Sequence, residues 1–242
     1  MDNLLGEFLG TMFLIILGNG VVANVVLKKT KGNDAGWVVI TMGWFIAVMV
    51  GVFVCIAAGA PQGDINPAVT MAKWLVLGAY TASEALATMA VQFVGAFVGA
   101  IIVWLAYFSH YQEDEDAGGI LATFSTGPAI SSPVWNSVTE ILGTFVLLAG
   151  VGAIFSTGVS DSGPAAAMGP YLVGALVLGI GLSLGGPTGY AINPARDLGP
   201  RIAHAILPIK NKGGSDWSYA WIPALMPFIG GILGALLWSA VF

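Results

Sequence analysis

Two stretches decide the fold: Asn66-Pro67-Ala68-Val69-Thr70-Met71-Ala72-Lys73-Trp74-Leu75-Val76-Leu77, and Asn193-Pro194-Ala195-Arg196-Asp197, which runs on through Gly199 and Arg201 to Leu207. Each opens with Asn, which suits a helix N-cap, followed by Pro, which suits the first helical position. At 1.5 Å rise per residue the helices Pro67 to Leu77 and Pro194 to Leu207 would be about 16 to 21 Å long. That is close to half of a bilayer core of about 30 Å, so each can enter a membrane but not cross it.

Working outward, the composition demands a membrane. Of 242 residues, 57% are hydrophobic and 9% charged, with a mean hydropathy of +0.86, and this excludes a water-soluble globule. Eight Lys and Arg against thirteen Asp and Glu give a net charge of -5, with no basic stripe to track a phosphate backbone, so nucleic acid is not a partner. A lone Cys55 and two His leave no disulfide framework, no metal cluster and no call for a cofactor. No nucleophile, base and metal constellation can be assembled, so an enzyme is not expected.

Six apolar stretches are long enough to span: Leu4 to Leu27, Trp37 to Ala58, Glu84 to Phe108, Val134 to Phe155, Ala165 to Leu184 and Tyr219 to Phe242. Met1-Asp2-Asn3 lacks the basic start of a signal peptide, so the first stretch is expected to stay as a span. Backbone polar groups in hydrocarbon must bond within their own segment, and alternating ten-residue strands are absent, so the expected class is an all-α membrane protein. Glycines in spans, such as Gly95 and Gly99 or Gly230, Gly231 and Gly234, read as close helix packing.

The chain also repeats itself. Leu5-Gly6-Glu7-Phe8-Leu9-Gly10-Thr11 opens the first span and Thr139-Glu140-Ile141-Leu142-Gly143-Thr144 the fourth. The expected organisation is one transmembrane domain over residues 1–242: repeat one over 1–109, a connecting loop over 110–133, and repeat two over 134–242. Three spans per repeat is odd, so the second copy enters from the opposite side and the two half-helices should meet end to end near the midplane. Glu7 and Glu140 hold matching places, and an intramembrane carboxylate is costly unless satisfied. They are expected to accept backbone N–H bonds from the re-entrant segments and to support them without touching solute.

With two Asn-Pro-Ala boxes 127 positions apart and the second continuing as Arg196-Asp197, the whole chain resembles the aquaporin family, and within it the glycerol facilitators. The resemblance implies six transmembrane helices plus two re-entrant half-helices, four monomers in a homotetramer with a pore in each, and passive movement of glycerol, water and similar small neutral solutes across the cell membrane. It implies a pore centre at Asn66, Pro67, Ala68, Asn193, Pro194 and Ala195, where facing helix N-termini repel cations and protons. It implies a selectivity constriction at Arg196, Gly181 and Tyr190. For its fourth member the register selects Trp44 if two residues are inserted in Ala60 to Ile65, and Ile46 if not; Trp44 is preferred because a second aromatic wall suits a polyol's carbon chain. Asp197 reads as a structural partner for the half-helix start and nearby basic groups.

Two departures stand out. Asp64 occupies the place where the family usually has His, which puts an anion at one mouth and removes an imidazole switch. Lys28, Lys29, Lys31, Lys210 and Lys212 fall on loops that the resemblance places outside, against the positive-inside tendency. The acidic run Glu113 to Asp116 is expected to be a solvated loop. A water-selective channel and a proton-coupled carrier are the competing functions. Gly181 and Asp197 weigh against the first, and a missing intramembrane acid relay against the second.

Overall fold

A computed structural model describes residues 2–165 and 167–242. The helices are α1 (Asp2–Val26), α2 (Trp37–Ala57), α3 (Pro67–Leu75), α4 (Ala82–Ala106), α5 (Phe108–Glu113), α6 (Ala117–Ala122), α7 (Pro133–Ile154), α8 (Met168–Leu184), α9 (Pro194–Ile206) and α10 (Trp217–Val241), and no strand forms among the described residues. Five of them, α1, α2, α4, α7 and α10, are long and apolar enough to cross a membrane.

The fifth expected span is shorter than its apolar stretch. The apolar stretch begins at Ala165, but α8 starts at Met168 and has 17 residues, about 26 Å at 1.5 Å each. The cause is local: Ala167, its N-cap, sits at φ 65 in the left-handed region, and Pro164 lies just ahead. Ala166 lies outside the described residues.

The half-helices have nine and thirteen residues, about 14 and 20 Å. In α3 the Asn66 side chain accepts from Ala68 N, and in α9 the Asn193 side chain accepts from both Ala195 N and Arg196 N, with Pro in the first turn of each. The repeats interlock through them. Helix α3 packs on α10, and α9 packs on α4, so each half-helix leans on the last span of the other repeat.

Within each repeat the first and last spans approach closely through glycines one turn apart. A Cβ at Gly99 would lie 2.7 Å from Met12 O on α1, and one at Gly234 would lie 2.6 Å from Phe145 O on α7. At Gly230 an added Cβ would fall on Ile141 O. The backbone cannot yield there as a flexible side chain would. Gly230→Leu is therefore expected to cost about 3 kcal/mol by overpacking. Gly20→Leu, with nothing within 4 Å of the added carbon, should cost much less. Thermal unfolding in detergent reads the difference, and equal midpoints would show that α7 and α10 do not need this contact.

Between the repeats, the expected connecting loop carries α5 and α6 and packs into the molecule. Asp114, expected in a solvated run, is only 2% exposed and accepts from Lys28 N at 2.8 Å. Burial follows from that bond together with Asn211 Nδ2 donating to Asp114 O. Two of the loop lysines also find partners. Lys29 pairs with Glu113 at 2.8 Å, and Lys212 Nζ donates to the carbonyls of His204, Ala205 and Leu207 at 2.7 Å each, closing the C-terminal end of α9.

Candidate functional site

Each re-entrant turn is held from behind by a carboxylate. Glu7, fully buried on α1, accepts from Asp64 N and Ile65 N at 2.8 Å each, and from Gln92 Nε2 at 2.8 Å. Glu140, fully buried on α7, accepts from Ala191 N at 3.0 Å, Ile192 N at 2.8 Å and the Thr188 hydroxyl at 2.7 Å. These bonds carry a strained backbone. Ile65 and Ile192, each just before a box, sit at φ 44 and φ 42, a region that β-branched side chains avoid. Holding the strained turn aims the carbonyl of each Ile across to the opposite box.

The boxes meet there. Asn66 Nδ2 donates to Ile192 O at 2.8 Å, and Asn193 Nδ2 donates to Ile65 O at 2.9 Å. The Asn side chains thus cap their helices through oxygen and tie the two half-helices together through nitrogen. Both Asn side chains face a cavity of about 740 Å³, and the two positive helix ends converge beside it.

A second cavity, of about 280 Å³, lies beyond a narrow partition. Trp44, Gly189, Tyr190 and Arg196 line both cavities and so mark the boundary between them. Arg196 is held over the Trp44 ring, its guanidinium carbon 4.4 Å from the ring centroid, and Nη1 donates to Phe124 O at 3.3 Å. Among the described residues the buried Tyr190 hydroxyl has no hydrogen-bond partner. That hydroxyl is sealed against Gly181, so the partition presents two aromatic side chains and a cation. A solute with an apolar side and a hydroxylated side can satisfy all of these at once.

Other expected residues fall in less direct places. Ile46 is 40% exposed and lines neither cavity, whereas Trp44 is 5% exposed, so the rotation of α2 turns Trp44 inward. Gly181, expected as a member of the constriction, is behind its surface and lines neither cavity. The Tyr190 ring fills the space above it, since a Cβ at Gly181 would lie 2.7 Å from Tyr190 Cζ. Its carbonyl accepts from Trp37 Nε1 at 3.1 Å, and Trp37 meets Tyr190 edge to face. Asp197, fully buried, accepts from Arg201 Nε at 2.8 Å and from both the Thr126 backbone and hydroxyl. It lines neither cavity.

Some participants carry no local signal. Phe124 and Thr126 reach the site from the connecting segment, about seventy positions before α9, through backbone groups that no motif marks. Lys73 did carry a signal: it is a lysine inside an otherwise apolar half-helix, where a charge demands a partner. Its ammonium lies 2.5 Å from Asp64 Oδ1.

Comparison with known proteins agrees with this geometry. The family model described as "Major intrinsic protein" matches residues 1–238. A glycerol uptake facilitator protein from Streptococcus pneumoniae is 57% identical over 99% of each chain. A probable glycerol uptake facilitator protein from Thermotoga maritima is 54% identical over the whole of both. Among solved structures, the X-ray structure of the aquaglyceroporin from Plasmodium falciparum superposes with a TM-score of 0.84 at 26% identity, over 99% of this chain and 96% of that one.

Proposed function

The chain belongs to the major intrinsic protein family, and from that premise we propose that it is a passive channel for glycerol and other small uncharged solutes. It is a multi-pass membrane protein and a transporter, not an enzyme. The observation that carries the solute reading is the partition between the cavities: aromatic side chains at Trp44 and Tyr190 suit a carbon chain, while the Arg196 guanidinium suits hydroxyls on its other side.

In this reading Trp44, Tyr190 and Arg196 select, Gly181 sets the position of Tyr190, and the two Asn-Pro-Ala boxes form the pore centre. Converging helix N-termini raise the potential there, which disfavours cations and leaves neutral solutes unhindered. Glu7, Glu140 and Asp197 hold the turns. The channel assembles as a homotetramer in the cell membrane, as the family resemblance implies, and water passes with the polyol.

Proteoliposomes containing the chain are expected to shrink in a glycerol upshift and then reswell faster than protein-free liposomes, recorded by stopped-flow light scattering. Rapid shrinkage with reswelling no faster than in protein-free liposomes would leave a water-selective pore and remove the glycerol reading.

A further inference from the structure

Seven non-indole polar side chains line the wide cavity, and they fall into three groups: Tyr190 with Arg196 at the partition, Asn66 with Asn193 at the boxes, and Gln62, Asp64 and Lys73 at the mouth beyond. The first two are accounted for by the channel reading. The third is not, and it puts a charged pair on a half-helix surrounded by apolar spans, where ionised groups are found paired.

The bonding of this third group is uneven. Asp64 is anchored on every side: Oδ1 faces Lys73 Nζ at 2.5 Å, and Oδ2 accepts from Thr70 Oγ1 at 2.8 Å and the Tyr80 hydroxyl at 2.7 Å. Lys73 is anchored on one side only. Its other two bonds are longer, 3.1 Å to Gln62 O and 3.2 Å to Gln62 Oε1. Gln62 is exposed, and among the described residues its side chain has no other hydrogen bond. All three ammonium N–H groups are thus taken, one of them only by the exposed Gln62 side chain at the cavity wall.

The second repeat shows what a purely structural ion pair looks like here. Arg201 and Asp197 are almost fully buried and line neither cavity. Arg201 gives its remaining donors to the carbonyls of Ser215, Asp216 and Thr126. That pair is sealed into the protein, while the Lys73 side chain stays 11% exposed on the cavity wall. The place equivalent to Lys73 in the second repeat is Pro200, so only one mouth carries such a group.

We propose that Lys73, neutralised by Asp64, forms a further solute-binding station at the mouth opposite Arg196, where it donates to a hydroxyl of a neutral polyol that displaces Gln62 Oε1. The station rests on the channel reading and adds to it a docking point at the far end of the wide cavity. A bare ammonium would hold anions such as carboxylates or phosphates. With Asp64 in contact, the local charge cancels, and what remains is a directed donor for uncharged oxygen. The ligand class is therefore small neutral polyols.

The test compares the wild type, Gln62→Ala and the double variant Asp64→Asn with Lys73→Met in reconstituted liposomes. The double variant removes both charges together and leaves no buried ion without its partner. Uptake of labelled glycerol is measured against rising unlabelled glycerol, with water permeability recorded in the same vesicles. Losing one hydrogen bond of ordinary strength should raise the half-saturating concentration of the double variant about three- to tenfold and lower its glycerol-to-water ratio. Gln62→Ala, which removes the competing acceptor at an exposed site, should lower half-saturation about threefold. Equal half-saturation in all three proteins, or uptake that stays linear in all three, overturns the station. If the double variant fails to reconstitute, Gln62→Ala decides alone, and an unshifted curve overturns the proposal. A wild type that passes water but no glycerol is a separate outcome, which removes the channel reading and the station with it.

Discussion

Glu140→Ala is expected to abolish a stable channel. The carboxylate is the acceptor for Ala191 N, Ile192 N and the Thr188 hydroxyl, all within 3.0 Å, and its removal leaves three donors buried away from water. Each unsatisfied donor costs about 1–3 kcal/mol. The left-handed backbone of Ile192 at φ 42, strained in the wild type as well, would also lose the bond that fixes it. Together these rival the whole stability of an ordinary domain, about 5–15 kcal/mol. The consequence reaches the pore centre directly, because Ile192 O is the acceptor for Asn66 Nδ2. Glu140→Gln keeps one oxygen acceptor and is expected to fall between the two. Monodispersity and thermal unfolding in detergent check this, and a Glu140→Ala protein that unfolds at the wild-type midpoint would show that the re-entrant turn is held by something else.

Gly181→Phe is expected to cut glycerol flux on the order of thirtyfold or more, which corresponds to about 2 kcal/mol of added barrier. The route is indirect. Even the first added carbon would lie 2.7 Å from Tyr190 Cζ and 3.0 Å from Thr41 Cγ2. A phenyl ring must displace Tyr190, and the open side of Tyr190 is the partition, since this residue lines both cavities. The aromatic wall then moves into the space a polyol needs, while a water molecule requires less of it. Stopped-flow water and glycerol permeabilities measured on one preparation should separate: water persists and glycerol falls. Glycerol passage at the wild-type rate would mean that Tyr190 yields in another direction and does not set the width.

How much of this was legible along the chain depends on the range of the interaction. Asn at an N-cap with Pro after it acts over three residues, so both half-helices announced themselves, and their starts at Pro67 and Pro194 match that expectation. Hydrophobic length is likewise local, and α1, α2, α4, α7 and α10 lie within about two residues of the apolar stretches that predicted them. The start of α8 was missed because Ala167 adopts a left-handed conformation that nothing in an Ala-rich run signals. The buried place of Asp114 was missed for a different reason: its burial depends on Lys28 and Asn211, both remote in sequence.

The candidate site divides in the same way. A carboxylate inside a span raises the question of what satisfies it, so Glu7 and Glu140 are singled out from sequence; Lys73 is open to the same argument but is not among the residues so identified. Gly181 could be named as part of the constriction, but not the mechanism, since its effect passes through a ring nine positions away.

By itself the sequence determined the membrane class, the inverted repeat, the two half-helices and the two carboxylates, Glu7 and Glu140, that enter hydrocarbon. Capping, hydrophobic length and the cost of burying charge are properties of short segments. Only the tertiary structure decided that Trp44 and not Ile46 turns inward, that Gly181 acts by seating Tyr190, that the connecting segment supplies Phe124 O to Arg196, and that Lys73 finds Asp64 at the mouth. Those outcomes depend on the rotation of packed helices and on contacts between segments far apart along the chain, and both are set when the two repeats close on each other.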